Sequence, residues 1–221
     1  MKRIVVVSEV STSARNPEVL QALQGRGYDV YNAGMSSPDD PQSLSYLHTG
    51  LIAALVLNGG LADMVIGGCG TGAGFAIAAM QYPQVMCGLL YEPLDAFLFT
   101  RINAGNCISL ALNKGWGWGA DQSLRMILDA LFSGVQGEGY PPHRAAPQAK
   151  SRELLSQISR DTHKPMAEIL ESLNPDLVRE TLLFPAVEKL MTTGSWSDEG
   201  LKATVLRLLA CYKGDDRSED I

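Results

Sequence analysis

Short β-branched runs alternate with helical stretches from Arg3 to about Phe132, which predicts an α/β fold: a doubly wound, Rossmann-like, five-stranded parallel sheet with helices on both faces. Two further observations complete the prediction. The links between the runs are short, as strand–helix–strand crossovers in a parallel sheet require. Beyond residue 149 the apolar positions fall at helical spacing, which adds an all-helical C-terminal extension. The expected division is an α/β domain with a C-terminal arm over 1–149 and a helical extension over 150–221.

The strands are expected at 3–8, 28–32, 63–67, 85–89 and 106–110. Helices are expected between them at 17–25, 41–57, 74–81 and 94–104, with a fifth at 121–132. The segment 133–149 holds Gly134, Gly137, Gly139, Pro141, Pro142 and Pro147, a composition that breaks helix and strand alike and predicts a linker or arm. Residues 150–211 read as three or four helices. Their start signals include Asn174-Pro175, where Asn caps and Pro takes the first helical position, and Ser197 ahead of Asp198 and Glu199. Leu201, Val205, Leu208 and Leu209 are packing residues, and 214–221 is an acidic tail expected to fray.

Bulk properties narrow the function. A hydrophobic content of 46% with 19% charged residues supports a real core, and a net charge of −6 gives no electrostatic reason to expect nucleic acid or an anionic membrane. No apolar run reaches the roughly 18 residues a membrane span needs, and Met1-Lys2-Arg3 leads straight into a strand, so a cytoplasmic location is expected. The four cysteines form no CxxC pair and the three histidines are far apart in sequence, so neither zinc-site spacing nor a disulfide framework is implied. Cys87 and Cys107 sit in apolar runs and read as small buried hydrophobes.

Cys69 is different. The octet Gly67-Gly68-Cys69-Gly70-Thr71-Gly72-Ala73-Gly74 places one thiol where a strand, a tight turn and a helix meet. Glycines let backbone amides approach a ligand closely, and the positive end of a helix dipole favours an anion or a developing oxyanion. The same field favours the thiolate form of a cysteine. In doubly wound sheets ligands sit beyond the carboxyl ends of the strands, the rim on which both Cys69 and Glu9 are expected.

The stretch GGCGTGAGFAIAA, followed by the strand at 85–89 and by Asn103-Ala104-Gly105-Asn106, resembles the type B ribose-5-phosphate isomerases and their galactose-6-phosphate isomerase relatives. Those enzymes carry CGTGxG and then HNDxN, and the resemblance covers about residues 1–145. It implies a sugar-phosphate aldose–ketose isomerase that needs no metal or organic cofactor. It implies Cys69 as the base, with Thr71 and the amides of Gly70, Gly72 and Gly74 facing the enediolate oxygen. It also implies a homodimer or homotetramer in which two subunits share each site.

The departures from the family pattern are specific. Ile102 stands where the family has the ring-opening histidine, and Ala104 replaces the following aspartate. The first strand ends Ser8-Glu9-Val10 in place of Ser-Asp-His, which keeps a carboxylate and a serine but removes the imidazole. The family's phosphate-binding arginines fall on Pro142 and on Ala145 or Ala146, with His143 and Arg144 beside them. Tyr46 and His48 lie near the segment that borders the family's pocket, and Asn103 is placed to donate to a substrate hydroxyl. Arg15, Arg101, Lys114 and Arg144 are candidate phosphate partners, each singly more often a solvated charge. Trp116 and Trp118 read as interface or core.

Two functions follow. The first is an isomerase acting on ribose 5-phosphate or, given Ile102, on a sugar phosphate that cannot close its ring, such as a tetrose 4-phosphate. The second is a catalytically impaired sugar-phosphate-binding module whose helical tail meets a partner. Retention of Cys69 favours the first, because a pure binding site has no need of a thiol in that turn.

Overall fold

The computed structural model describes residues 2–216. Its elements alternate from the start: β1 (Arg3–Val7), α1 (Asn16–Leu23), β2 (Asp29–Asn32), α2 (Tyr46–Asn58) and β3 (Met64–Cys69). There follow α3 (Ala73–Ala79), β4 (Cys87–Leu90), α4 (Pro93–Leu98), β5 (Cys107–Ala111) and α5 (Ala120–Phe132). The strands pair in parallel in the order β2-β1-β3-β5-β4. Side chains alternate across the sheet, so Ile4 and Val6 join a core with α1 and α5, while Val5 and Val7 join one with α2 and α3. The winding reverses between β1 and β3, which makes their carboxyl ends the switch point where such sheets open a crevice.

Four differences from the sequence reading have local causes. β3 runs on to Cys69, because Gly67 and Gly68 are strand residues rather than turn residues. A β-carbon on Gly67 would lie 2.4 Å from the Phe75 ring, and one on Gly68 would lie 2.3 Å from the Leu110 carbonyl oxygen, so here glycine serves close packing. α2 starts at Tyr46 rather than at 41, capped by Ser45. α4 gives way after Leu98 to a π-helical turn (Phe99–Asn103) that ends on Ala104 at φ 49°.

The fourth difference lies in the arm. Pro142–Arg144 forms a 3-10 turn that runs directly into α6 (Ala145–Thr162), so a helix begins inside the segment read as a linker. Pro147 is accommodated because it sits in the first turn, where no intrahelical donor is lost. The extension then has five helices rather than three or four: α6, α7 (Met166–Ser172), α8 (Pro175–Leu183), α9 (Pro185–Thr193) and α10 (Glu199–Asp216). The acidic tail is helical to Asp216, and residues 217–221 lie outside the described residues.

The extension packs on its own chain. Met166, Leu170, Val178, Leu182, Val187 and Val205 share one core with α2 and the sheet. Residues 49–56 of α2 are all buried, between the sheet and α3 on one side and α7 and α8 on the other. Polar ties reinforce the contact: the Tyr31 hydroxyl donates to the Ala186 carbonyl at 2.7 Å, and the Ser197 amide donates to the Gly59 carbonyl at 2.8 Å.

Candidate active site

Cys69 is the last residue of β3 and is 7% exposed, with its sulfur 3.9 Å from the Thr71 hydroxyl oxygen. The Cys69 carbonyl accepts from the amides of Gly72 and Leu112, both at 3.1 Å, which fixes the turn against β5. Gly72 caps α3 at φ 77°, a conformation that a side chain disfavours. The amides of Gly70 and Gly72 are therefore spent inside the protein, on Ser11 Oγ and on the Cys69 carbonyl. Among the described residues, the amides of Thr71, Ala73 and Gly74, at the start of α3, have no acceptor.

Glu9 follows β1 at the same rim, 3% exposed, and its carboxylate is occupied by its own loop. It accepts from the Ser11 amide at 3.1 Å, from Thr12 Oγ1 at 3.3 Å, and from the Ser11 hydroxyl in a very short contact. Ser11 Oγ in turn accepts from the Gly70 amide at 3.2 Å, and Asn113 Nδ2 donates to the Ser11 carbonyl at 2.7 Å. Ser11 therefore ties together the loops after β1, β3 and β5. The sequence reading missed Ser11 and Asn113; the available signal was a hydroxyl two residues after a rim carboxylate, the spacing of a local side-chain turn.

Of the other candidates, Tyr46 reaches this rim and His48 and Ser8 are engaged elsewhere. A β-carbon on Gly74 would lie 3.4 Å from both Cys69 Sγ and Tyr46 Cγ, so the tyrosine ring and the thiol flank the same glycine. His48 Nδ1 accepts from the Ser45 amide at 3.0 Å, which leaves the proton on Nε2 to meet Glu180 Oε2 at 2.9 Å. Both ring nitrogens thus cap α2 and bind α8. Ser8 is 1% exposed and its hydroxyl accepts from Asn16 Nδ2 at 3.0 Å.

Asn103 and Arg144 lie at the opposite edge of the sheet. They line a cavity of about 460 Å³ beside Met86 and Cys87, at the amino end of β4, with Ile102 and Arg152. Met80, just past the end of α3, also lines it. Cys69 precedes the start of that helix, so the length of α3, about 10 Å for seven residues, separates the two regions within one chain. Among the described residues no group of three or more His, Cys, Asp or Glu is placed to hold a metal ion, and no helix is long and apolar enough to cross a membrane.

Residues 4–130 match the Ribose/Galactose Isomerase family. The chain belongs to that family. It resembles the ribose-5-phosphate isomerase of Vibrio parahaemolyticus, with 36% identity, a TM-score of 0.90, and coverage of 94% of this chain and 99% of that one. A 4-deoxy-L-threo-5-hexosulose-uronate ketol-isomerase, solved with a tartrate, is 32% identical with the same TM-score of 0.90 and the same coverage of 94% and 99%. The 4-deoxy-4-sulfo-D-erythrose isomerase of Clostridium sp. (strain MSTE9) is 27% identical over 114 residues, 52% of this chain and 69% of that one. Both full-length matches extend past the family region into the helical extension.

The remaining cations of the Cys69 rim are set against aromatic rings. Arg15 lies over Trp116 with 5.2 Å to the ring centroid and pairs with Glu18 at 3.5 Å, and Lys114 lies 4.5 Å from the Tyr91 centroid. Trp118, by contrast, is wholly exposed. Arg101 is bound to Glu138 at 2.6 Å and stacks on Phe97, and so braces the arm. Cys107 is a buried hydrophobe whose thiol pKa burial pushes well up, while Cys87 is half-buried on the cavity wall.

Proposed function

We propose that this sugar isomerase interconverts an acidic aldose and ketose that cannot close a ring, with Cys69 as base and with each site built from two copies of the chain. The carrying observation is Cys69 itself, at the switch point of the sheet, beside the Thr71 hydroxyl and three unclaimed amides. The Cys69 thiolate takes the proton from the carbon next to the carbonyl, and the electron pair moves onto the carbonyl oxygen to give an enediolate. The amides of Thr71, Ala73 and Gly74 stabilise that oxygen. Cys69 returns the proton to the neighbouring carbon while Thr71 passes the hydroxyl proton between the two oxygens. Tyr46 walls the site. Glu9 acts through Ser11, because both of its oxygens already accept from its own loop.

Ile102 removes the imidazole that a ring-closed sugar would need, and this supports a substrate that arrives open. The names of two relatives agree with it. A 4-deoxy-5-hexosulose has neither the C4 nor the C5 hydroxyl for closure, and a 4-deoxy-4-sulfo-tetrose has no oxygen on C4. The separation of Asn103 and Arg144 from Cys69 within one chain supports a shared site in a homodimer or a homotetramer built from such pairs. Exposed Ile77 and Met80 on and after α3, and Leu154, Leu155 and Ile158 on α6, supply apolar surface for a second copy to cover.

The test is complementation. Cys69→Ala and Arg144→Glu proteins should each lack solvent-deuterium incorporation into the open-chain substrates. After unfolding and refolding together in equal amounts they should recover about a quarter of wild-type activity, since half of randomly paired dimers are mixed and each mixed dimer has one intact site. Full activity of Cys69→Ala alone would remove the base, and zero recovery from a mixture shown to contain mixed dimers would remove the shared site.

A further inference from the structure

We infer that Trp118 is the cover of the Cys69 site: when substrate binds, the loop after β5 folds over the crevice and its indole shuts water out. The inference rests on the proposed isomerase reading and adds the residue that protects its intermediate.

The loop leaves from the site itself. The amides of Asn113 and Lys114 donate to the Gly70 carbonyl at 3.1 and 3.0 Å, which fastens its first two residues to the cysteine turn. In the sheet β3 lies between β1 and β5, and Trp116 meets Arg15 from the segment after β1, so the loop flanks the carboxyl end of β3. The Ala120 amide then donates to the Gly117 carbonyl at 3.0 Å and closes a turn with Trp118 at its tip. Four residues span at most about 14 Å, so the tip stays within reach of the turn it leaves.

The tip is also free to move. Trp118 is wholly exposed, whereas Trp116 is half-buried and the Trp196 ring nitrogen donates to the Met191 carbonyl at 3.0 Å. Gly115, Gly117 and Gly119 flank the two loop indoles, and a β-carbon on any of the three would meet nothing within 4 Å. Beneath the loop lies a cavity of about 220 Å³ lined by Tyr91, Leu112, Lys114 and Trp116. The Tyr91 hydroxyl donates to the Thr71 carbonyl at 3.4 Å, so this open space borders the cysteine turn. An indole left in water at a glycine-flanked tip has a large apolar surface to bury and the room to do so.

The proposed reaction gives the cover its task. While the enediolate exists, the proton in transit sits on the Cys69 sulfur. Water that reaches the sulfur exchanges that proton for one of its own, with no change in charge on either partner. A closed cover returns the substrate's own proton; an open one lets the solvent's in.

The experiment supplies full-length protein in deuterium oxide with 4-deoxy-4-sulfo-D-erythrose, 4-deoxy-L-threo-5-hexosulose uronate or D-erythrose 4-phosphate. Early product is divided by NMR into molecules that kept the substrate's proton and molecules that took solvent deuterium. With whichever compound is turned over fastest, Trp118→Ala should raise the exchanged-to-retained ratio by about fivefold or more and lower kcat by about tenfold. Trp118→Phe, which keeps a ring, should restore most of both. In Cys69→Ala protein the same compound should move tryptophan emission to the blue on binding, and the shift should vanish in Cys69→Ala/Trp118→Phe. An unchanged ratio in Trp118→Ala, or an emission that does not move, overturns the cover and leaves the isomerase reading standing. Dissociation of Trp118→Ala under conditions where the wild type stays associated also overturns it, by assigning the ring to the subunit interface. No turnover of any of the three compounds, with no Cys69-dependent exchange, overturns the isomerase reading and this inference with it.

Discussion

The two edges of the sheet are built on opposite plans. At the carboxyl edge the groups that hold the Cys69 turn in place are tied down: the Cys69 carbonyl accepts twice, the Gly70 amide is held by Ser11, and Ser11 is held by Glu9. At the amino edge of β4 and β5 the cavity is lined by Asn103 and Arg144, whose side chains have no hydrogen-bond partner among the described residues. The contrast separates two tasks. A base must sit within a few tenths of an ångström of the proton it moves, so its turn is braced by three loops. A recognition group gains its partner only when the substrate arrives, so its donors are left open.

Substitutions on the two edges should therefore fail differently. Cys69→Ala is expected to have the largest effect, a loss of kcat of about 10³-fold or more with substrate affinity retained, read by steady-state kinetics. Arg144→Ala should instead raise KM by about 10- to 100-fold and leave kcat within about threefold, because it removes binding common to ground and transition states. Equal losses in kcat and KM for both variants would erase the distinction between the edges.

Ser11→Ala tests the bracing itself. Loss of the hydroxyl frees the Gly70 amide and removes one of the three hydrogen bonds to the Glu9 carboxylate, and kcat should fall by about tenfold with KM little changed. Ser11→Thr, which keeps the oxygen, should restore most of it. The alkylation rate of Cys69 as a function of pH should shift in Ser11→Ala and not in Ser11→Thr; an unchanged profile in both would reduce Ser11 to a packing residue.

The smallest effect lies away from both edges. Asp63 accepts from Arg3 at 2.9 Å, and the Arg3 side-chain hydrogen bond holds the Asp63 carboxyl below its ordinary pKa. A carboxylate with a lowered folded pKa adds stability above its unfolded pKa of about 3.9 and loses it as pH falls through the folded value. Both side chains are more than a third exposed, at 37% and 40%, so solvent screens the pair. Asp63→Asn should lower Tm at pH 7 by only about 1–3 °C, and the gap should close as pH falls through the lowered folded pKa. A gap that persisted in acid would assign the effect to packing rather than charge.

Much of the fold was legible because period and punctuation agree: β-branched runs alternate with helical stretches, and the short links between them make the sheet parallel. The Cys69 turn was legible for the same reason, a thiol among glycines at a strand–helix junction. What the sequence hid depended on which hydrogen bonds each group had already made. Gly70 and Gly72 read as amide donors, yet the fold spends both internally, while Thr71 and Ala73 keep theirs. His48 reads as a pocket residue until its two nitrogens are seen to cap α2 and hold Glu180. Spacing reports which residues lie near a site, but not which of them have spare bonding capacity. The start of α6 was missed because prolines in a first helical turn look the same in sequence as prolines in a linker.

The complete burial of residues 49–56 in α2 has a consequence for how this family member is built. A helix on the face of a sheet ordinarily needs only one apolar stripe, because water covers the other side. Here Leu51, Ile52, Leu55 and Val56 are dry because the chain's own later helices stand where water would be. The extension is therefore the outer wall of the core rather than an appendage. A polypeptide ending near residue 149 would expose that wall's inner surface and become a sticky, aggregation-prone fragment, so the last third of the molecule is a condition for the first two thirds to remain in solution.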